Sequence, residues 1–140
     1  MASDLSRFVK AQEHDYAQAL REIRAGRKRS HWMWYIFPQI QGLGFSSTAQ
    51  YYAIRDLNEA KDYLAHPVLG ARLKEISEAL LELDGLSAHE IFGYPDDLKL
   101  RSCMTLFRMA DLNCAVFEQV LEKYYDGEPD RRTVELAATL

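Results

Sequence analysis

The chain has 140 residues, of which 48% are hydrophobic and 27% charged, a composition typical of a globular protein. Its net charge of −4 argues against broad binding to nucleic acid, which needs a basic surface. The two cysteines are too few for a disulfide scaffold and indicate reduced thiols. No apolar run approaches the roughly 18 residues of a membrane span, and no signal peptide is evident. We therefore expect a cytoplasmic protein with one domain over residues 1–140 and no membrane partner.

The first predicted helix covers residues 4–25, where apolar residues recur at close to a 3.6-residue period. Ser3 or Asp4 is suited to cap its start. Gly26 is suited to the left-handed conformation that follows many helices. Arginine and lysine are concentrated at residues 24–29, and they suit either a charged helix end or an anion site. We favour the charged helix end.

Residues 30–44, with the sequence SHWMWYIFPQIQGLG, contain both tryptophans of the protein. Residues 31–37 fit two turns of helix capped by Ser30. They fit equally well a strand with Trp32 and Trp34 on one face. We favour the helix.

Pro38 excludes Phe37 from the helical region of backbone conformation, so the segment ends there. Residues 39–47 then form a predicted loop. Its glycines, Gly42 and Gly44, indicate a positive φ or a close approach between backbones. The loop has neither the third glycine of a dinucleotide fingerprint nor the lysine of a P-loop.

The rest of the chain is patterned as helices. Residues 48–54 and 87–92 read as single turns, and longer helices are predicted at 56–65, 67–85, 96–112, 116–127 and 130–137. Asp56 with Glu59, and Ser87 with Glu90, have the spacing of a capping box. No alternating strand and no repeat is evident. The predicted architecture is an all-α bundle of about six or seven helices with short loops.

Several blocks of the sequence resemble one bacterial family. They are RFVKAQ, SHWMWYIFPQIQGLG, EAKDYLAHPVLGARL and IFGYPDDLKLRSCMTLF, and with the shorter matches around them they extend over roughly residues 5–126. The family is catalogued only as domain-of-unknown-function family 1810, and some members carry the label calpastatin. The resemblance implies a mainly helical single domain and no established activity. Calpastatin repeats are disordered, whereas this chain is patterned as a globular protein, so the sequence does not support that label.

The first candidate for a functional group is His31, which lies beside Trp32 and Trp34. An imidazole next to aromatic rings suits proton transfer or a planar ligand. The alternative is that the rings belong to the core. We favour the core for the two tryptophans and leave His31 open.

Polar residues around the glycine loop form a second candidate group. Amides and hydroxyls suit recognition of a base, a sugar or an amide. The members are Gln39, Gln41, Ser46, Ser47, Tyr51 and Tyr52, and we also expect Gly44 of the loop to contact the ligand. The alternative is a surface loop whose polar groups bond its own backbone.

The third candidate group is Lys99, Ser102 and Thr105 on the helix at 96–112. Lys99 falls on the apolar arc of this helix, where a desolvated lysine would be a nucleophile or an anion clamp. The alternative is a lysine whose stem covers apolar surface while its ammonium stays in water. The histidines lack the spacing of a metal site, and we predict neither a metal nor a cofactor.

These groups predict a small-molecule pocket between the aromatic segment and the helix that carries Lys99. A nucleotide- or sugar-like ligand would suit it. The enzymatic version is an N-glycosidase-type hydrolase, with His31, Lys99 and Ser102 as candidate catalytic residues. It depends on pocket chemistry and on a loose similarity of order to NADAR glycosidases. No motif matches well enough to assign the role of a NADAR residue to a residue of this chain. The alternative is a protein-interaction or homodimerisation module that uses residues 30–44, and the sequence does not decide whether the protein is an enzyme.

Overall fold

The computed structural model describes residues 4–138, and over this range it contains α-helices and no β-strand. The helices are α1 (Ser6–Arg24), α2 (Met33–Ile36), α3 (Ser47–Tyr51), α4 (Leu57–Ala65), α5 (Leu69–Leu81), α6 (Ala88–Phe92), α7 (Asp96–Ala110), α8 (Ala115–Tyr125) and α9 (Arg131–Ala138). The all-α prediction is confirmed. The number of helices exceeds the predicted six or seven because α3 and α6, which read as turns, are five-residue helices. No helix in the described range has the length and apolar character needed to cross a bilayer.

The helices share one hydrophobic core, and α7 lies at its centre. This helix packs against α4, α6, α8 and α9. Phe107 of α7 is fully buried between two other rings, with its centroid 5.2 Å from that of Tyr63 and 6.0 Å from that of Phe117. The short α3 contributes no buried residue, so it lies on the surface of this core.

The predicted end of α1 is confirmed, but its predicted start is not. Gly26 has a φ of 81° and donates its N–H to the carbonyl of Ile23, which is the usual glycine end of a helix. At the start, the N-cap is Leu5, which makes no side-chain cap bond. Asp4, one of the two predicted capping residues, does accept from the N–H of Ser6, the first residue of the helix, at 3.0 Å, and Ser3 lies outside the described residues.

The two predicted capping boxes differ. The box of Ser87 and Glu90 is complete. Asp56 accepts from the N–H of Glu59 at 2.8 Å, but the Glu59 carboxylate turns away to the N–H of Arg55. That box is therefore half formed. Helix α5 begins at Leu69 rather than at the predicted Pro67.

The aromatic segment is helical, as favoured above, but only as the single turn α2, and Ser30 does not cap it. The Ser30 hydroxyl donates instead to the carboxylate of Glu22 at 2.7 Å. The same carboxylate accepts from the N–H groups of Arg29 and Ser30 and from the Trp32 indole. Burial alone would raise the pKa of Glu22, but the bonds from Arg29, Ser30, Gln18 and Trp32 outweigh it and lower the pKa to about 2. Glu22 thus fastens the start of the aromatic segment to α1.

Candidate functional site

A cavity of about 340 Å³ opens inside the loop of residues 41–53. The neck of this loop is a parallel bridge between Ile40 and Ile54. The N–H of Gln41 donates to the Ile54 carbonyl at 2.7 Å, and the Ile54 N–H donates to the Gln39 carbonyl at 2.8 Å. Surface loops with adjoining ends often carry functional sites. We call this space the loop cavity.

Arg7 of α1 holds the C-terminal end of the loop, close to the neck. Its guanidinium donates to the carbonyls of Tyr51 and Ala53 at 2.8 and 2.9 Å. It also pairs with Glu59 at 3.1 Å, and the Glu59 side chain is only 2% exposed. A buried carboxylate with a bonded partner has one preferred geometry, so the loop is fixed against α1 and α4.

The sequence predicted a positive φ or a close approach at the two glycines of the loop. Gly42 has the positive φ, and Gly44 has the close approach. Gly42 has a φ of 107°, and a Cβ there would lie 3.2 Å from the side chain of Leu136 in α9. At Gly44 a Cβ would lie 2.6 Å from the Cβ of Ala49 in α3. The first glycine therefore allows the turn, and the second allows the loop to close on α3.

Lys99 of α7 reaches the wall of the loop cavity next to Trp34. Its ammonium lies 5.5 Å from the centroid of the Trp34 ring and 3.4 Å from Oδ1 of Asp96. The other oxygen of Asp96 lies 3.0 Å from the ammonium of Lys28, which is only 9% exposed. Two ammonium groups thus share one carboxylate. Asp96 is therefore shared between two cations, and the Lys99 ammonium at the cavity wall would attract an anion.

Tyr52 forms a second aromatic wall of the loop cavity. Its ring centroid lies 5.1 Å from that of Tyr35 and 4.8 Å from that of Tyr51, so neighbouring rings fix its orientation. Burial is the main reason that the pKa of Tyr52 is raised. The hydroxyl therefore stays protonated at neutral pH and can donate a hydrogen bond.

A second cavity, of about 360 Å³, adjoins the first along α7. Gln39, Leu43 and Lys99 line both cavities. Ser102 and Asp130 line only the second. We call this space the α7 cavity. Lys99 lies where the two cavities meet.

The loop cavity brings together seven of the candidate residues singled out from the sequence, namely Trp34, Gln39, Gln41, Gly44, Ser46, Tyr52 and Lys99. Others lie elsewhere. Trp32 is 1% exposed and belongs to the core, while Tyr51 is 60% exposed beside the cavity. Thr105 is fully buried, where it donates to the Arg101 carbonyl and accepts from the N–H of Asp130.

The three candidate catalytic residues do not share one cavity. Lys99 lines both, Ser102 lines the α7 cavity, and the exposed His31 lines neither. The Ser102 hydroxyl donates to the carbonyl of Leu98, one helical turn earlier, at 3.2 Å.

The sequence reasoning missed Phe45, Arg7 and Asp96. Phe45 lines the loop cavity and is 82% exposed, and an apolar ring between a glycine and a serine in a loop was a usable signal for it. Arg7 and Asp96 gave no such signal, since single charges near the start of a helix are common. Within residues 4–138 no group of three or more His, Cys, Asp or Glu side chains is arranged to hold a metal.

Comparisons with known proteins place the chain in a family. The model of a protein family of unknown function, DUF1810, matches residues 2–137. The chain belongs to the DUF1810 family. The DUF1810 fold is also seen in the crystal structure of the conserved hypothetical protein Rv1873 from Mycobacterium tuberculosis. That protein is 52% identical to this chain, with a TM-score of 0.96 and 98% of each chain covered. No curated protein matches the chain.

Proposed function

We propose that this DUF1810 protein binds a small anionic ligand with a planar ring, such as a nucleotide, in the loop cavity. The observation that carries the proposal is the ammonium of Lys99 beside the Trp34 ring, at the wall of a concave space, where it shares the Asp96 carboxylate with Lys28. At about 340 Å³ the cavity falls within the size range of small-molecule sites. Apolar walls with a few convergent polar groups are typical of such sites.

Each part of the ligand has a counterpart in the cavity. The rings of Trp34 and Tyr52 offer surfaces on which a planar group can stack. The amides of Gln39 and Gln41 offer both donors and acceptors to the edge of that group. The ammonium of Lys99 offers a charge-assisted hydrogen bond to a phosphate or carboxylate.

The residues that line the loop cavity support binding there rather than hydrolysis. Cleavage of a glycosidic bond needs a general acid or base within hydrogen-bond reach of the reacting group. In the described part of the chain, no carboxylate and no imidazole lines the loop cavity. The charged group there is an ammonium that is shared with Asp96.

The alternative function, a partner-binding surface on residues 30–44, is supported less well. An interaction surface of that kind needs exposed rings. Trp32 is 1% exposed and Phe37 is fully buried, so much of the segment is committed to the core. The half-buried Trp34 faces the loop cavity instead.

Titration calorimetry with adenosine and AMP tests the proposal. We expect AMP to bind the wild-type protein more tightly than adenosine does, because only AMP carries an anion for Lys99. Lys99→Met should weaken AMP binding roughly fivefold to tenfold, which corresponds to about 1 kcal/mol, and should leave adenosine unaffected. Trp34→Leu should weaken both ligands.

Lys61→Met is the matched control, since Lys61 is an exposed lysine of α4 that lines neither the loop cavity nor the α7 cavity. It removes the same charge and should leave both affinities unchanged. Failure of AMP to bind at millimolar concentration would overturn the proposal. Equal losses in the two lysine variants would also overturn it.

A further inference from the structure

We infer that the binding site continues into the α7 cavity, which accepts a hydroxyl-rich, sugar-like group. The ligand class is then a two-part molecule, a planar ring and a sugar joined through an anionic linkage, as in a nucleotide sugar. This inference rests on the proposed binding in the loop cavity.

The first argument is the position of Lys99. It lines both cavities, together with Gln39 and Leu43, so the two spaces adjoin at these three residues. The loop cavity alone holds about one nucleoside-sized group, and the α7 cavity, at about 360 Å³, holds another. An anion that links two such groups would lie at the Lys99 ammonium.

The second argument is the difference in lining. Trp34 and Tyr52 line the loop cavity, whereas no aromatic ring of a described residue lines the α7 cavity. The planar group therefore belongs in the first space. Leu98 and Pro95 give the second space short apolar surfaces, which suit the C–H face of a sugar ring.

The third argument is the hydrogen-bonding capacity of the α7 cavity. The Ser102 hydroxyl donates to its own helix and so keeps its oxygen available as an acceptor. Asp130 uses Oδ2 to accept from the N–H and hydroxyl of Thr133, at 2.9 and 2.6 Å. Its other oxygen makes no bond to a residue that the structure describes. Two acceptors beside an apolar wall match the hydroxyls of a sugar.

Arg101 completes this side of the cavity. Its Nε and Nη2 donate to the carbonyls of Glu128 and Pro129, at 3.0 and 3.1 Å. These bonds hold the guanidinium plane in place before any ligand arrives. The remaining nitrogen, Nη1, is a donor that can serve either a hydroxyl or the linking anion.

Calorimetric titration with AMP, ADP, ADP-glucose and ADP-ribose tests the inference. We expect at least one of the two nucleotide sugars to bind roughly tenfold more tightly than ADP. Because each nucleotide sugar carries less negative charge than ADP, a gain in affinity must come from the sugar and not from added charge.

A variant that fills the α7 cavity tests whether the gain in affinity for the nucleotide sugar comes from that cavity. Leu98 is 48% exposed and lines the α7 cavity but not the loop cavity, so Leu98→Trp should fill the former on a folded protein. It should remove the preference for the nucleotide sugar and leave AMP affinity within about twofold. Leu112→Trp is the matched control, since Leu112 is 84% exposed and lines neither cavity.

The outcomes separate the two proposals. If AMP does not bind, the proposed function fails and this inference fails with it. If AMP binds but neither nucleotide sugar exceeds ADP, only the inference is overturned, and this comparison needs no variant. It is also overturned if Leu98→Trp and Leu112→Trp keep the same preference.

Discussion

Replacing Glu22 with glutamine should release the aromatic segment from α1. The Glu22 side chain is an acceptor at both oxygens. Oε1 accepts from the N–H groups of Arg29 and Ser30 and from the Trp32 indole, and Oε2 accepts from the Ser30 hydroxyl and the Gln18 amide. Glutamine keeps one acceptor oxygen, loses the charge and places an NH₂ group where two donors already point.

The lowered pKa of Glu22 sets the size of the effect. A fall from 4.5 to about 2 means that the folded protein favours the ionised carboxylate. At 1.36 kcal/mol for each pKa unit, this contributes on the order of 3 kcal/mol to the free energy of unfolding. We expect Glu22→Gln to lose about 2–3 kcal/mol at pH 7, since the amide recovers part of the bonding.

The pH dependence has a definite sign. Because the folded pKa is below the unfolded one, the contribution is complete above about 4.5 and is lost as the pH falls toward 2. Urea unfolding at pH 7 and at pH 3 should show that the difference in the free energy of unfolding between wild type and Glu22→Gln is smaller at pH 3. Glu78→Gln, at an exposed site on α5, is the control and should stay within about 0.5 kcal/mol at both values. A gap below 0.5 kcal/mol at pH 7, or one that does not change with pH, would refute the reasoning.

Two further predictions concern the loop that surrounds the cavity. Gly44→Ala should cost about 1–3 kcal/mol and weaken AMP binding, because its Cβ would lie 2.6 Å from that of Ala49. The double variant with Ala49→Gly should recover both losses, and urea unfolding with calorimetry would show whether it does. Arg7→Gln should cost about 2–3 kcal/mol, since it strands the buried Glu59 carboxylate with fewer partners. Arg21 is an exposed arginine of the same helix, and Arg21→Gln should leave the free energy of unfolding nearly unchanged. Equal losses in the two variants would contradict the role of Arg7 in holding Glu59 and the loop.

Local sequence patterns predicted the helices well because their physical causes are local. The apolar period of α5 and α7, the Ser87 cap and the Gly26 end all depend on residues within a few positions of one another. The same locality explains the errors at helix starts. Ser30 had the right chemistry for a cap, but the distant Glu22 took its hydroxyl.

The different positions of the two tryptophan rings depend on the backbone conformation of residues 31–37. Side chains two positions apart differ by about 200° around a helix, whereas they share one face of a strand. Trp32 is the N-cap just before α2 and enters the core, whereas Trp34 lies within α2 and lines the loop cavity. The sequence left both conformations open and therefore could not separate the two residues.

The long-range contacts that build the site carry no signal in one sequence. Arg7 bonds the carbonyls of Tyr51 and Ala53, more than forty positions away. The sequence placed Lys99 on the apolar arc of α7, and its side chain is 28% exposed. Its ammonium lies over the ring of Trp34, from another element, and the Asp96 carboxylate that it pairs with is shared with Lys28. Such pairings depend on how helices are packed, which no local period reveals.

The indole N–H signals in a proton–nitrogen correlation spectrum test the central claim most directly. The protein has two tryptophans, and each gives one such signal. Trp34 lines the loop cavity, while the Trp32 indole is buried and bonded to Glu22 at 3.0 Å. On titration with AMP, the Trp34 signal and the amides of residues 41–53 should shift together and saturate, while the Trp32 signal stays in place. A spectrum unchanged at millimolar AMP, or shifts that spare Trp34 and that loop, would contradict binding in the loop cavity.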